Sequence, residues 1–401
     1  MRTSTALYPF DVVGDESAAD AVAALGVDEV SLAAAYHSVR AVTPRHPSHQ
    51  VVTAVHSAVY FPPDESRWSG LSLRPSRAEG DGIRDSFAPA LASLRDAGLA
   101  VNAWVVLAHS CGLGVEQEAS CVENAFGDKY PWALCISRSE VVEYAATLAG
   151  EVVAGFDLDG VELEACGWYG YDHLSAHDKT HPEMLSEADR YLLSLCFCNS
   201  CSTRYAGHGI EAGRLRGLVQ DSLRSFDPLP GAGRREPPRP CAADELRMRL
   251  GGDLADELLR MRHRVADDLR REVVRAVRQS ARDRELTIWL HAQVAPHGTG
   301  GNVGVDAVRA LGDVDGLLYG VPAEPVAAIE AVVAETAALP GRRIGVVVDV
   351  LGPPRDDGTE LDAVVGSAAS AGATDLHLYH AGLASDRGRR VLAGLVERFG
   401  D

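Results

Sequence analysis

Short apolar runs of strand length recur along the chain, and most are followed by a segment whose apolar residues fall at helical spacing. The runs are VDEVSLAAAYH, HQVVTAVHSAVYF, LAVNAWVVLAH, GVELEA, LTIWLHAQ, VDGLLYG, RRIGVVVDV and ATDLHLYHAG. The second is long enough for a strand that turns into a hairpin. FAPALASLRDAG has helical spacing and ends on Gly98, a helix-stop signal. SRSEVVEYAATLAGEVV precedes GVELEA, and PVAAIEAVVAETAAL, ELDAVVGSAASAG and DRGRRVLAGLVERF follow the last three runs.

Eight strands, most of them in βα units, predict an α/β chain folded as a (β/α)8 TIM barrel with one closed parallel sheet. A doubly wound open sheet is the alternative. No GxGxxG follows a strand and no GxxxxGK precedes Ser or Thr, so neither nucleotide signature supports it. Residues 1–165 then carry the first half of the barrel and 285–401 the second. Between them 166–284 form a helical, cysteine-containing insertion after the fourth strand, too long for an ordinary loop. It ends in an arginine- and leucine-rich helix from about Ala243 to Arg284. That helix either covers the barrel as its fourth helix or forms a homodimer seam. Residues 61–86 make a second irregular loop that the pattern allows at the barrel mouth.

Composition changes this picture little. The 401 residues, 46% hydrophobic and 24% charged, are those of an ordinary globular protein. Lys129 and Lys179 are the only lysines. A formal net charge of -19 argues against nucleic acid or an anionic membrane as partner, since both would be repelled. The N-terminal MRTSTALYPFDVVGDESAAD lacks the apolar region of a signal peptide, and no run of about 18 apolar residues offers a membrane span. A cytoplasmic enzyme is the expectation.

Chemistry concentrates in FDLDGVELEACGWYGYDH. Strand alternation puts Val161, Leu163 and Ala165 on one face and Gly160, Glu162 and Glu164 on the other. The apolar face suits the outer helices, so both glutamates face the lumen. A buried carboxylate there is costly without a purpose or a partner. Glu164 lies at the C-terminal end, where barrel enzymes place their chemistry, and is the first catalytic candidate. Asp349 ends the seventh strand across the lumen and is the second. Polar and aromatic side chains near the ends of other strands converge on the same rim as candidate substrate-binding groups. They are His37, Trp104, His109, Trp289, His291, Gln293, Tyr319, His377 and Tyr379, with Glu162 below. The loop CGWYGYDHLSAHDKTH adds Trp168, Tyr171, His173 and His177. Opposed carboxylates ringed by aromatic and polar groups are equipment for glycoside cleavage: one acid protonates the leaving oxygen while a second carboxylate supports the oxocarbenium-like centre.

DGVELE resembles the Asp-Gly-(Ile/Val)-x-(Phe/Leu)-(Asp/Glu) fourth strand of glycoside-hydrolase-like barrel proteins. LAVNAWVVLAH, with Gly98 before it, is similar to their Gly-Leu-x-Val-x-Ala-Trp third strand, and NAFGDKYPWALC to the loop that follows. CFCNSC resembles the C-x-C-x-x-C zinc knot of certain barrel β-galactosidases. The resemblance covers roughly residues 95–205. It implies a carbohydrate-active barrel with Glu164 at the matching acidic position. This chain lacks the Asn-Glu pair that closes the fourth strand in those galactosidases and has Asp349 in place of their seventh-strand glutamate, so the division of roles between the carboxylates stays open.

Cys196, Cys198 and Cys201 supply three thiolates for a structural zinc, which needs a fourth. Cys111, Cys121, Cys135 and Cys166 are the candidates, and Cys166 is nearest in sequence. No organic cofactor is expected. Three functions follow: a glycoside hydrolase or transglycosidase using Glu164 and Asp349 on a carbohydrate substrate; a metal-dependent sugar isomerase or hydrolase with ligands from Glu162, Glu164, His173, His177 and His291; and a non-catalytic carbohydrate-binding barrel.

Overall fold

A computed structural model describes residues 1–80, 82–172, 185–224, 241–321, 326–336, 338–339, 341–351 and 359–400. Its centre is a closed barrel of parallel strands: β1 (Arg2–Leu7), β2 (Glu29–Tyr36), β3 (Ala100–Val106), β4 (Gly160–Glu164), β5 (Thr287–Gln293), β6 (Gly316–Val321), β7 (Arg343–Asp349) and β8 (Asp375–Tyr379). Each pairs with the next, and β1 pairs with both β2 and β8, which closes the sheet. Eight helices alternate with them: α1 (Ala18–Ala23), α2 (Phe87–Asp96), α3 (Ser139–Gly155), α4 (Gly252–Ala281), α5 (Ala307–Asp313), α6 (Val326–Thr336), α7 (Thr359–Ala371) and α8 (Asp386–Phe399).

The first strand differs from the one expected. Val51–Ala54, within the run HQVVTAVHSAVYF, pairs with Val39–Val42 in a separate antiparallel ribbon, and Ala58–Val59 pairs with the end of β2. The missing barrel strand is RTSTAL at the N-terminus. Its Thr and Ser residues are polar, which hid it from a search for apolar runs. Thr5 donates to the Leu378 carbonyl at 2.9 Å, and the Ser4 and Ser31 hydroxyls lie 3.2 Å apart. Because one strand was missed and one miscounted, β4 and β7 keep their places.

The helix expected from Ala243 to Arg284 is two helices, Ala242–Leu250 and α4, split at Gly251. Gly251 has φ 88° and ψ 144°, which residues with a Cβ reach only under strain. Leu258, Met261, Val265, Leu269, Val273 and Val277 form the buried stripe of α4, which packs along α3 and covers the barrel. Arg270, 2% exposed, is held by Asp267 and Asp313. The insertion adds helices Glu187–Leu193, Asn199–Gly207 and Ala212–Leu223. In the 61–86 loop, Trp68 donates its indole N–H to Glu151 of α3 at 2.6 Å, so that part lies on the flank of the barrel and not at its mouth. Among the described residues, no helix is long and apolar enough to cross a membrane.

Candidate active site

The lumen below the mouth is a hydrogen-bonded polar core. Glu162 is 2% exposed. One of its oxygens accepts from Ser31 of β2 and lies 3.5 Å from His377 Nδ1 of β8; the other is 3.3 Å from His291 Nε2 of β5. Burial would raise the Glu162 pKa, but His291, His377 and Ser31 together hold it below the usual carboxylate range. Burial would likewise lower His291, yet the Glu162 hydrogen bond and the nearby charges raise it. For His377 burial wins, and its pKa falls.

Above this floor stands Glu164, 8% exposed. Its Oε2 accepts the indole N–H of Trp104 of β3 at 2.7 Å. Its Oε1 faces the glycine-rich loop after β5, where a Cβ on Gly301 would lie only 3.1 Å away. Ala165, next in the chain, has φ 51°, a conformation costing roughly 1–2 kcal/mol outside glycine. It is pinned on both sides: its N–H donates to Gly301 O at 2.9 Å and its carbonyl accepts from Ala108 N at 3.1 Å.

Three phenols gather beside Glu164. Tyr8 and Tyr379 hydroxyls lie 3.5 Å apart, and the Tyr36 ring meets that of Tyr8 edge to face at 5.0 Å. Tyr36 and Trp104 meet edge to face at 4.6 Å, and Trp104 lies parallel to His291 at 6.0 Å. Burial pushes all three phenols up, so they remain hydrogen-bond donors through the neutral range. Tyr379 feels the charges of both Glu164 and Asp349. Asp349 pairs in register with Tyr379, is exposed, and accepts the Leu351 N–H at 2.7 Å. Gly345 abuts His377 in the lumen, so alternation along β7 aims Val347 and Asp349 inward too.

The remaining candidates separate into groups. His37 meets Tyr36 at a tilt, 4.1 Å away, and stacks on His109 at 4.6 Å, and His109 in turn meets Tyr169 at 4.7 Å, so these rings form one connected group. Gln293 ends β5 beside a cavity of about 700 Å³ also lined by Asp172, Arg190 and Thr299. Tyr171 packs by its edge on Tyr130. His173 and His177 lie outside the described residues.

Three candidates sit away from the mouth. Trp289, fully buried, packs against His377 with the Arg343 guanidinium 4.6 Å over its ring, and so plugs the lower lumen. Trp168 spends its indole N–H on the Arg262 carbonyl of α4. Gly316 and Leu318 face Trp289 and Gly345 in the lumen, which turns Tyr319 to the outer face of the sheet.

Two mouth residues escaped the sequence reading. Tyr8 follows the strand that was missed. Strict alternation along β2 would put Tyr36 on the face opposite Ser31 and Ala33, but the β2–β3 register shifts between Ala33 and Ala35. Such an irregularity re-aims the side chains beyond it.

No family model and no curated protein matches the chain. Solved structures do. The chain is similar to the PgaB (BpsB) glycoside hydrolase domain from Bordetella bronchiseptica, at 15% identity and TM-score 0.58, over 96% of this chain and 95% of that one. It is also similar to β-galactosidases from Bacillus circulans sp. alkalophilus (11% identity, TM-score 0.56, 98% of this chain and 55% of that one) and from Marinomonas ef1 (11%, 0.54, 99% and 59%). The chain thus spans little more than half the length of those two galactosidases. The fold this chain shares with them is the (β/α)8 barrel.

The cysteine cluster also differs from expectation in one member. Cys196, Cys198 and Cys201 are joined by Cys135, and the four sulfurs all lie within 4.8 Å of one another. Cys135 Sγ is 3.5 Å from that of Cys201 and 3.7 Å from that of Cys198. Cys135 leads into α3 and faces the knot across the barrel–insertion seam. Cys166 follows β4 directly and is buried elsewhere, its pKa pushed up to about 12 by burial. Nearness in sequence was the wrong guide. All four cluster thiols are buried and unbridged. A tetrahedron with metal–sulfur bonds of about 2.3 Å has sulfur–sulfur edges of about 3.8 Å, so the donor set suits a closed structural metal site.

Proposed function

We propose that this protein is a glycoside hydrolase or transglycosidase acting on a small glycoside or oligosaccharide, with Glu164 and Asp349 as its reacting carboxylates. The observation that carries this reading is the geometry of the mouth: Glu164 ends β4 with the Trp104 indole on it at 2.7 Å, and Asp349 ends β7 in register with Tyr379, whose hydroxyl lies 3.5 Å from that of Tyr8. A sugar placed there has neutral donors for its hydroxyls, the Trp104 ring beside it, and an acid on either side. Trp104 holds one oxygen of Glu164 and leaves the other for the glycosidic centre. Zinc is the metal best suited to Cys135, Cys196, Cys198 and Cys201, where it would tie the insertion to the barrel. The free thiols fit a cytoplasmic setting.

The test is incubation of the full chain with aryl glycosides and short oligosaccharides, followed by proton NMR of the released anomer. Turnover of at least one sugar is expected, with a single stereochemical outcome. Binding of a sugar with no turnover of any would replace this reading with a carbohydrate-binding barrel.

A further inference from the structure

We propose that Glu162 is a positioning residue for Glu164, acting through His291 and Trp104. The inference rests on Glu164 being a reacting carboxylate. Glu162 itself is sealed in the lumen floor, and its two oxygens are divided between His291 on one side and His377 with Ser31 on the other.

One carboxylate thus serves two imidazoles and attracts a proton to both, but at His377 burial outweighs that attraction. His291 is raised and His377 lowered, so the arrangement favours positive charge on His291 over His377. The groups facing His291 are consistent with that charge. Glu162 and Glu164 face it from β4, the Trp104 ring from β3, and His377 from β8. The His291 ring lies 6.0 Å from the Trp104 ring and only 12° from parallel to it. A cation at the face of an indole is attracted by the ring's electron density, at about this limiting distance. The indole then presents its N–H to Glu164 at 2.7 Å. Each link fixes the next: Glu162 sets the charge and tilt of His291, His291 braces Trp104, and Trp104 orients Glu164. A carboxylate used only to fill the floor would serve as well without charge.

The test is Glu162→Gln in the full chain, which keeps the shape and removes the charge. Two readouts need no substrate: the titration of His291 in protein carrying ¹⁵N-histidine, and the Trp104 indole N–H resonance, assigned with Trp104→Phe. The His291 pKa is expected to fall by about one unit or more, and the indole resonance to move upfield as its hydrogen bond to Glu164 loosens.

On the best glycoside, kcat is expected to fall about tenfold with KM within about twofold, the worth of roughly one unit of electrostatic support. The raised His291 is charged below its pKa and loses that charge as pH rises. The alkaline limb of kcat/KM should therefore move to lower pH in Glu162→Gln, and Glu162→Asp should restore part of it. A His291 titration and indole resonance matching wild type would overturn the proposal, as would unchanged kcat and an unmoved limb. If wild type turns over no glycoside, the glycosidase reading fails, and the two resonances alone decide the Glu162–His291–Trp104 linkage. Should Glu162→Gln not fold, His291→Gln carries the test, with the same indole shift and loss of kcat expected.

Discussion

Trp104 illustrates how much one side chain decides here. Its indole N–H is the hydrogen bond seen on Glu164, and its ring lies between Tyr36 and His291. Trp104→Phe keeps the ring packing and deletes the donor. A hydrogen bond to a charged group contributes about 1.5–3 kcal/mol, so a loss of ten- to hundredfold in kcat is expected, with a melting temperature lower by about a few degrees and the fold intact. Steady-state kinetics beside a thermal melt checks this; unchanged kcat would remove the indole from the site. Glu164 and Trp104 were legible in the sequence because a carboxylate and an aromatic ring at strand ends stand out from an apolar run. Tyr36 was not, because the β2 irregularity reverses a face without leaving a mark in the residue pattern. Trp289 and Tyr319 failed for a related reason: periodicity says which residues share a face, but neither the depth along the barrel nor, in a run as apolar as GLLYGV, which face points in.

Among the elements, the strands buried on both faces were the easiest to find. RIGVVVD and the core of LTIWLHAQ are close to continuous apolar runs, as parallel barrel strands should be. RTSTAL was passed over because its Thr and Ser side chains find partners on neighbouring elements, Ser4 with Ser31, Thr5 with the Leu378 carbonyl and Thr3 with Asp28, and so stay buried in a strand that does not read as apolar. The cysteine knot was legible from spacing, while its fourth member depended on how α3 meets the insertion. The correction has a direct check. Cys135→Ser should lower both the metal content and the melting temperature of the purified protein, whereas Cys166→Ser should leave the metal content unchanged; mass spectrometry distinguishes the two. Equal metal in both variants would place the ligand set elsewhere. The Gly251 break offers a second check. Gly251→Ala should cost about 1–3 kcal/mol in urea unfolding, because its backbone conformation is one that only glycine adopts freely. A neutral outcome would mean that the two helices can rejoin without penalty.

For the molecule as a whole, acid and base stability depend on a buried pair behind Tyr8. Asp11 Oδ2 lies 3.7 Å from His380 Nε2, with both side chains almost fully enclosed. Burial pushes the Asp11 carboxyl from 3.8 up to about 7 and the His380 imidazole from 6.5 down to about 3. In the window between 3.8 and about 7, folded Asp11 keeps a proton that the unfolded chain has lost, so its contribution to stability falls as pH rises. His380 works the other way between about 3 and 6.5, where the unfolded chain binds the extra proton and stability rises with pH. The two slopes offset in the wild type. His380→Gln leaves only the first, and its stability relative to wild type should decline from about pH 4 to pH 6.5, by about 4 kcal/mol at most. Urea midpoints across that range measure it, and a constant difference would contradict the assignment.

The claim on which the functional reading stands is that Glu164 reacts with the glycosidic bond. Its most direct measurement is kcat/KM of Glu164→Gln against wild type on the best glycoside, with circular dichroism and melting temperature recorded on the same samples. A fall of about a hundredfold or more, the usual worth of a positioned acid or base, is the expected result with the fold intact. Activity close to wild type in a folded Glu164→Gln protein would contradict it.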